Sequence, residues 1–578
     1  MPKSKKKKVA ATAKQVIEEK KPGVHVTKPV KKSDPFRFSL IVTGIFIVIA
    51  TFGLIYHEMW RDEYQAWLVA RDAHSISQLF QNMRYEGNPA LWHIFLYLIT
   101  SFTNNPVYMQ VFHLLIAAGF IYIFNRYAPI SLTLKILFTF SYFPLYEYAV
   151  ISRSYGLGLL LIFIVCVLFK NRKSYYVWLG LALGLLSNVT VYSLILASGI
   201  AGILLLDYVF NQKKDKKIVV QLVGGLSIFL ILTILSLYQI WPNKNNSFPV
   251  IYAKEAFETP RWGFVSSKFF STYLYIPDVS EINFWNTNTY LNDYVTIQPT
   301  YWKWLNDNPS YLWGWVYLPI ILFIISILVF LRKPLVLLLY TGTTLALMSL
   351  FYYTLLVYSR YCGHLVILLI VCYWLSEYFP DKKYDNTILQ KLSVFGKKIN
   401  KPFLGILLLF QVIGAVFAYT MDYKYKFSAG KETADYIRKN KLDSLTIVGV
   451  PDFTMSSLAA HLNTKIYYPE MSSYGSFTIW NKDRIDTISF GQMIQSIESI
   501  IDKGKSEFLF VRSEQARISP DGINYFPLER GMIRKDIKLD LLEKFEEPVV
   551  KDEKFYIYLV EKTDSSKIDL AKYPKLYQ

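Results

Sequence analysis

An uncharged apolar run from Phe38 to Tyr56, "FSLIVTGIFIVIATFGLIY", gives way at once to "HEMWRDEYQAW", where the next eight residues hold Glu58, Arg61, Asp62 and Glu63. The first stretch is long enough to cross a bilayer core, which takes roughly 20 apolar residues in a helix. Similar runs recur at about 106–124, 132–150, 154–170, 175–189, 190–209, 217–241, 313–331, 334–356, 361–379 and 402–421. Together they predict an α-helical polytopic membrane protein of about eleven transmembrane helices. "ALWHIFLYLITSF" (90–102) is apolar but short, and reads as a juxtamembrane or re-entrant helix.

The polar segments between these runs set an orientation. "KNRK" (170–173), "NQKKDKK" (211–217), "RK" (332–333) and the segment 381–401 are basic, and all fall on the cytoplasmic side only if 90–102 does not cross. That choice places 57–105, 242–312 and everything after 421 outside the cytoplasm. Residues 1–35 are lysine-rich and predicted to be a disordered cytoplasmic tail. A transmembrane domain is expected over 36–421, with its first span an uncleaved anchor.

Past 421 the pattern changes. "SLTIVGV" (444–450), "KIYYP" (465–469), "EFLFVR" (507–512) and "FYIYLV" (555–560) have the length and β-branched content of buried strands. "PDFTMSSLAAHL" (451–462) has helical spacing, with Asp452 placed to cap it. A small extracytoplasmic α/β domain over 422–578 follows. "GLGL" (156–159) falls inside a span and reads as close helix packing.

Composition agrees with that reading and removes rivals. Of 578 residues 53% are hydrophobic and only 19% charged, too apolar for an ordinary soluble protein of this size. The net charge of +19 would suit a nucleic-acid binder, but the lysines flank apolar spans, so the expected partner is the lipid bilayer and not nucleic acid. Cys166, Cys362 and Cys372 all fall in predicted spans, which argues against a disulfide framework or a zinc site.

Candidate chemistry gathers on the extracytoplasmic side. Asp62 and Glu63 are adjacent on a predicted helix and so point in different directions; one can face a cavity while the other pairs. A carboxylate beside an apolar wall can accept a proton or hold a metal, whereas an interfacial polar turn is the plainer reading of the same pair. Glu86 lies in "RYEGNPALW", Glu147 in "FPLYEYAV", Arg153 and Tyr155 in "SRSYGLG", and Arg360 and His364 in "YSRYCGHL". Ionisable groups at span mouths are costly unless paired or functional. Arginine clamps phosphate through two parallel N–H donors and carboxylates serve as bases, so the set suits a lipid-phosphate substrate. A structural Glu147–Arg153 bridge competes with that reading. His93 is read as an interfacial histidine with its hydrogen bonds satisfied. His57 and Glu58 stand near Asp62, but no tight ligand spacing exists, so no metal ligands are assigned, and a divalent ion is only compatible with the acidic cluster.

The acidic pair Asp62-Glu63 after the first span, "YEGNPALWHIFLYLI" (85–99), "SRSYGLGLLL" (152–161) and a bundle ending in an extracytoplasmic domain resemble the GT-C superfamily of membrane glycosyltransferases. The likeness is to its protein O-mannosyltransferase and aminoarabinose transferase branch, covers roughly 38–379, and departs at Asn88, where that branch often has His. The resemblance implies an enzyme of the plasma membrane. It would move a sugar from a polyprenyl-phosphate-linked donor to an extracytoplasmic glycan, lipid or protein, with inversion. Asp62 would be the general base, Glu63 its support, and Arg153 and Arg360 the clamp on the leaving phosphate. Glu86, Glu147, Tyr155 and His364 complete the substrate-binding set. No cofactor is certain. A surface-polysaccharide ligase or polymerase, or a lipid-linked glycan exporter, is the alternative.

Overall fold

A computed structural model describes residues 34–211, 215–241, 244–246, 262–280, 282–287, 317–354, 357–486, 488–513, 534 and 536–564. The basic tail and most of the segment 242–312 lie outside the described residues. The protein is mostly helical, with a six-stranded sheet near its C-terminal end.

The first helix, α1 (Pro35–Tyr56), starts where Asp34 accepts a hydrogen bond from the Phe36 amide and Pro35 occupies the first turn, both favourable there. Next come α2 (Arg61–Arg71), α3 (Ile76–Asn82), α4 (Leu91–Thr100) and α5 (Val107–Tyr127). They are followed by α6 (Leu132–Thr139), α7 (Tyr155–Phe169), α8 (Arg172–Ser187), α9 (Val191–Asn211) and α10 (Lys216–Ile240). The bundle is completed by α11 (Trp262–Tyr273), α12 (Leu318–Phe330), α13 (Pro334–Thr354), α14 (Ser359–Ser376) and α15 (Thr387–Lys424).

Seven described helices are long and apolar enough to cross a membrane: α1, α5, α9, α10, α13, α14 and α15. α4, α7 and α12 are apolar but shorter. Outer helices carry apolar side chains to the surface, as at Ile41, Val48 and Ile55 of α1 and Val220, Ile231 and Tyr238 of α10. Contiguous exposure of this kind suits hydrocarbon better than water. α14 is buried nearly all round and forms the centre of the bundle.

The structure departs from the expected single helix over 132–150. α6 ends at Thr139, and a π-helical turn, Phe143–Glu147, follows with the Tyr148 amide bonded to the Phe143 carbonyl at 2.8 Å. Pro144 has no N–H to continue a regular ladder, and a π turn absorbs the missing bond. Close helix contact rests on glycine where expected and elsewhere. A Cβ on Gly156 would stand 2.7 Å from His113 Nε2, and one on Gly158 3.0 Å from Ser193 Oγ. Gly180 of α8 and Gly225 of α10 touch so closely that a Cβ on either would overlap the other helix's backbone.

The C-terminal unit begins with α16 (Gly430–Lys439) and contains β1 (Ile447–Val450), α17 (Ser456–Leu462), β2 (Ile466–Tyr468), β3 (Ser473–Gly475), α18 (Phe490–Asp502), β4 (Glu507–Arg512), β5 (Ile537–Phe545) and β6 (Phe555–Lys562). The sheet order is β3-β2-β1-β4-β6-β5, with β2, β1 and β4 parallel and the outer pairings antiparallel. Each of the four expected strands is present; β3 and β5 were not foreseen. α18 packs Ile494, Ile497 and Ile501 onto Val448, Phe508 and Phe510. Asp452 does not cap the following helix. Its carboxylate takes two hydrogen bonds from Arg484, at 2.8 and 2.6 Å, in the buried interior.

Candidate functional site

α2 places the acidic pair. Glu63 accepts the Trp60 amide at 3.1 Å, satisfying a free N–H at the helix start, and its carboxylate also suits the positive end of the helix dipole. Its other oxygen accepts the Ser152 amide at 2.6 Å. The side chain is wholly buried, and both oxygens are engaged. Asp62, one residue earlier, points the other way and remains 28% exposed. Of the pair, Glu63 is locked inside the fold and Asp62 alone opens outward.

Three elements bring charge to Asp62. Arg153, in the turn before α7, puts Nη1 2.6 Å from Asp62 Oδ2. Arg360, second residue of α14, puts Nη2 3.5 Å from the same oxygen, and Arg61 stands 3.8 Å from Oδ1. Burial by itself pushes the Asp62 carboxyl up, but Arg153 and then Arg360 and Arg61 more than offset it and hold it below the usual carboxylate range. The Arg360 guanidinium lies against four rings, Trp60 at 5.2 Å, Trp285 at 5.4 Å, Tyr358 at 4.6 Å and Tyr361 at 4.8 Å. Such faces stabilise a cation while leaving its N–H edge free for an anion.

The remaining candidates spread around this cluster. The ring of Tyr155 lies 5.9 Å from the Arg153 guanidinium carbon. His364 sits one turn deeper on α14, its Nδ1 2.9 Å from the Tyr361 carbonyl and its ring against Tyr155 and Tyr192. A small cavity of about 10 Å³, room for about one water, lies between Tyr155, Gly158, Leu159, Ser193, His364 and Ile367. Glu147 does not bridge to Arg153. It accepts from Tyr142 Oη at 2.7 Å and Trp285 Nε1 at 3.1 Å, so it supports the tryptophan that covers Arg360. Glu86 is held by Gln65 Nε2 at 2.7 Å, on another face of α2, and burial pushes its carboxyl up to about 7. The expectation for His93 fails: it is buried, and neither ring nitrogen has a hydrogen-bond partner among the described residues.

The sequence missed what braces α2. His57, weighed there only beside Glu58 and Asp62, puts Nδ1 2.8 Å from Asp422 Oδ2 and Nε2 3.1 Å from Glu63 Oε2. From the C-terminal unit, Glu553 accepts the Arg61 amide at 2.6 Å and Asp552 pairs with the Arg61 guanidinium at 2.5 Å. Tyr64 Oη lies 2.9 Å from His461 Nε2, and Gln65 bonds Thr478 and Ser456. Ser476 donates to Asp72. α17, the loop after β3 and the loop before β6 supply these contacts, so the unit grips α2 along its whole length. No sequence signal marks Asp422, Asp552 or Glu553, which lie hundreds of residues from their partners.

Among the described residues no group of three or more His, Cys, Asp or Glu side chains is placed to hold a metal ion. What the arrangement offers is one partly open carboxylate between two arginines. Comparison with protein-family models, with curated proteins and with solved structures finds no match to this chain.

Proposed function

We propose that the protein is a membrane glycosyltransferase of the GT-C kind, moving a sugar from a polyprenyl-phosphate-linked donor to an extracytoplasmic acceptor. The observation that carries this reading is the convergence of Asp62, Arg153 and Arg360, from three separate elements, on one point with Asp62 still open to the outside. In this reading the donor's phosphate displaces Asp62 from the two arginines, whose N–H groups then hold the phosphate as the bond from the anomeric carbon to the phosphate oxygen breaks. Stabilising charge that grows on a leaving group is where a site of this type gains most. Asp62, released from its partners, takes the proton of the attacking acceptor hydroxyl or amine. The acceptor bonds to the anomeric carbon from the opposite face, and configuration inverts. The orientation with a cytoplasmic N-terminus and extracytoplasmic C-terminal unit belongs to the same reading and is supported by the basic loops.

The test is sugar transfer by purified protein in lipid from a panel of polyprenyl-phosphate sugars, comparing wild type with Asp62→Asn. Loss of transfer in the variant, with folding and donor binding kept, is expected. Undiminished transfer would remove Asp62 as the base. No transfer by the wild type from any donor would favour the ligase and exporter alternatives.

A further inference from the structure

His57 stands at a junction of the fold that the chemistry above does not use. It directly follows α1, and its two ring nitrogens face two carboxylates, Glu63 of α2 and Asp422 near the end of α15, at 3.1 and 2.8 Å. A neutral imidazole has one N–H and one acceptor nitrogen, so it can donate to only one carboxylate; the imidazolium donates to both. The other groups facing the trio are donors or a ring. Tyr146 Oη donates to Asp422 Oδ2 at 3.0 Å, the Trp60 and Ser152 amides donate to Glu63, and the Phe427 ring lies 4.5 Å from the imidazole. Glu58, next in the chain, is occupied by Lys426 at 3.1 Å.

Glu63 is the hinge of this arrangement. One of its oxygens meets His57 and the start of α2, and the other holds Ser152, the residue before Arg153. Anything that releases Glu63 therefore loosens Asp62 and Arg153 together.

We propose that His57 is a positioning residue: as an imidazolium it ties Glu63 to Asp422 and so fixes Asp62 and Arg153 relative to each other and to α15. The two carboxylates overcome the downward push of burial and raise this ring to about 10. The inference rests on the transferase reading only for its effect on catalysis.

The experiment reads both. In protein labelled with ¹⁵N-histidine and reconstituted in lipid, one of the seven rings is expected to stay doubly protonated at pH 8.5, where an ordinary imidazole of pKa about 6.5 is neutral. That signal should be lost at the same pH in Asp422→Asn. Absence of any doubly protonated ring in wild type, or its persistence in Asp422→Asn, overturns the proposal without any assay of activity. In the transfer assay, Asp422→Asn should acquire an alkaline fall of roughly tenfold or more between pH 7 and 9 that wild type lacks, since 1.4 kcal/mol of lost orientation corresponds to tenfold in rate. An unmoved profile makes His57 a structural tie and overturns the positioning role. If wild type transfers no sugar at all, the transferase reading fails on its own and the histidine spectrum still decides the protonation on which this inference stands.

Discussion

Arg153 Nη1 lies 2.6 Å from Asp62 Oδ2, joining the turn before α7 to the first turn of α2. The pair sets Asp62 against one of the two arginines that share its carboxylate, and it is also what a phosphate would have to break. Arg153→Lys keeps the charge but loses the planar fork that matches two oxygens. Under the transferase reading, Arg153→Ala is expected to lower kcat/KM by about 10²-fold or more, the scale of removing a donor that stabilises developing charge. Arg153→Lys should fall in between. Steady-state transfer with varied donor concentration checks both.

The depressed Asp62 carboxyl makes a stability prediction with a definite sign. A carboxyl held below its ordinary value of 3.8 stabilises the fold above that value and loses its contribution as pH falls through the lowered one. Wild type should therefore show an acid-side loss of Tm that Asp62→Asn lacks in part. Thermal unfolding of both proteins in the same detergent, from pH 7 down to about pH 3, measures the difference.

Glu553 has the opposite sign. Burial pushes its carboxyl up to about 8, from an ordinary 4.5. Its protonated form favours the fold, so the contribution is complete below the ordinary value and drains away as pH rises through about 8. The junction where Glu553 accepts the Arg61 amide should therefore lose stability between about pH 4.5 and 8, as the unfolded carboxyl ionises and the buried one resists ionisation. Limited proteolysis at the junction across that range should accelerate in wild type and change little in Glu553→Gln.

Arg484 and Asp452 are paired almost out of contact with water, at 2% and 0% side-chain exposure. Removing one partner leaves a buried charge uncompensated, so Arg484→Ala is expected to destabilise the C-terminal unit by about 3–5 kcal/mol. Hydrogen exchange of β1 and β4 in the full chain, compared with wild type, checks this without requiring the unit to fold alone.

Gly180→Val tests the α8–α10 contact. With no room for a Cβ beside Gly225, the helices must separate, at a cost of about 1–3 kcal/mol or more for an overpacked interface. A lowered Tm in lipid, with Gly202→Ala in an open position left near wild type, is the expected pair of results.

How much of this was legible follows from how far each interaction reaches along the chain. α1, α5, α9 and α10 announce themselves because each needs only its own apolar residues to be satisfied in hydrocarbon. β1, β2, β4 and β6 were visible as short apolar runs for the same local reason. The break after Thr139 was hidden because the run 132–150 is mostly apolar and long enough for one span, and Pro144 alone does not say which turn replaces the regular ladder. The competing Glu147–Arg153 bridge is absent because Arg153 is claimed by Asp62, while Glu147 accepts from Tyr142 and from Trp285, which comes from a distant loop.

The sequence by itself determined which segments are apolar enough to leave water, where the basic loops fall, and that acidic and arginine residues cluster at helix ends. These properties depend on transfer free energies of single residues and short windows, which add along a chain. Only the tertiary structure decided which carboxylate of the adjacent pair stays open, that Arg153 and Arg360 meet on Asp62, and that His57, Asp422 and Glu553 brace the helix carrying it. Hydrogen bonds and ion pairs form over about three ångströms, so their partners are fixed by packing and not by position in the chain.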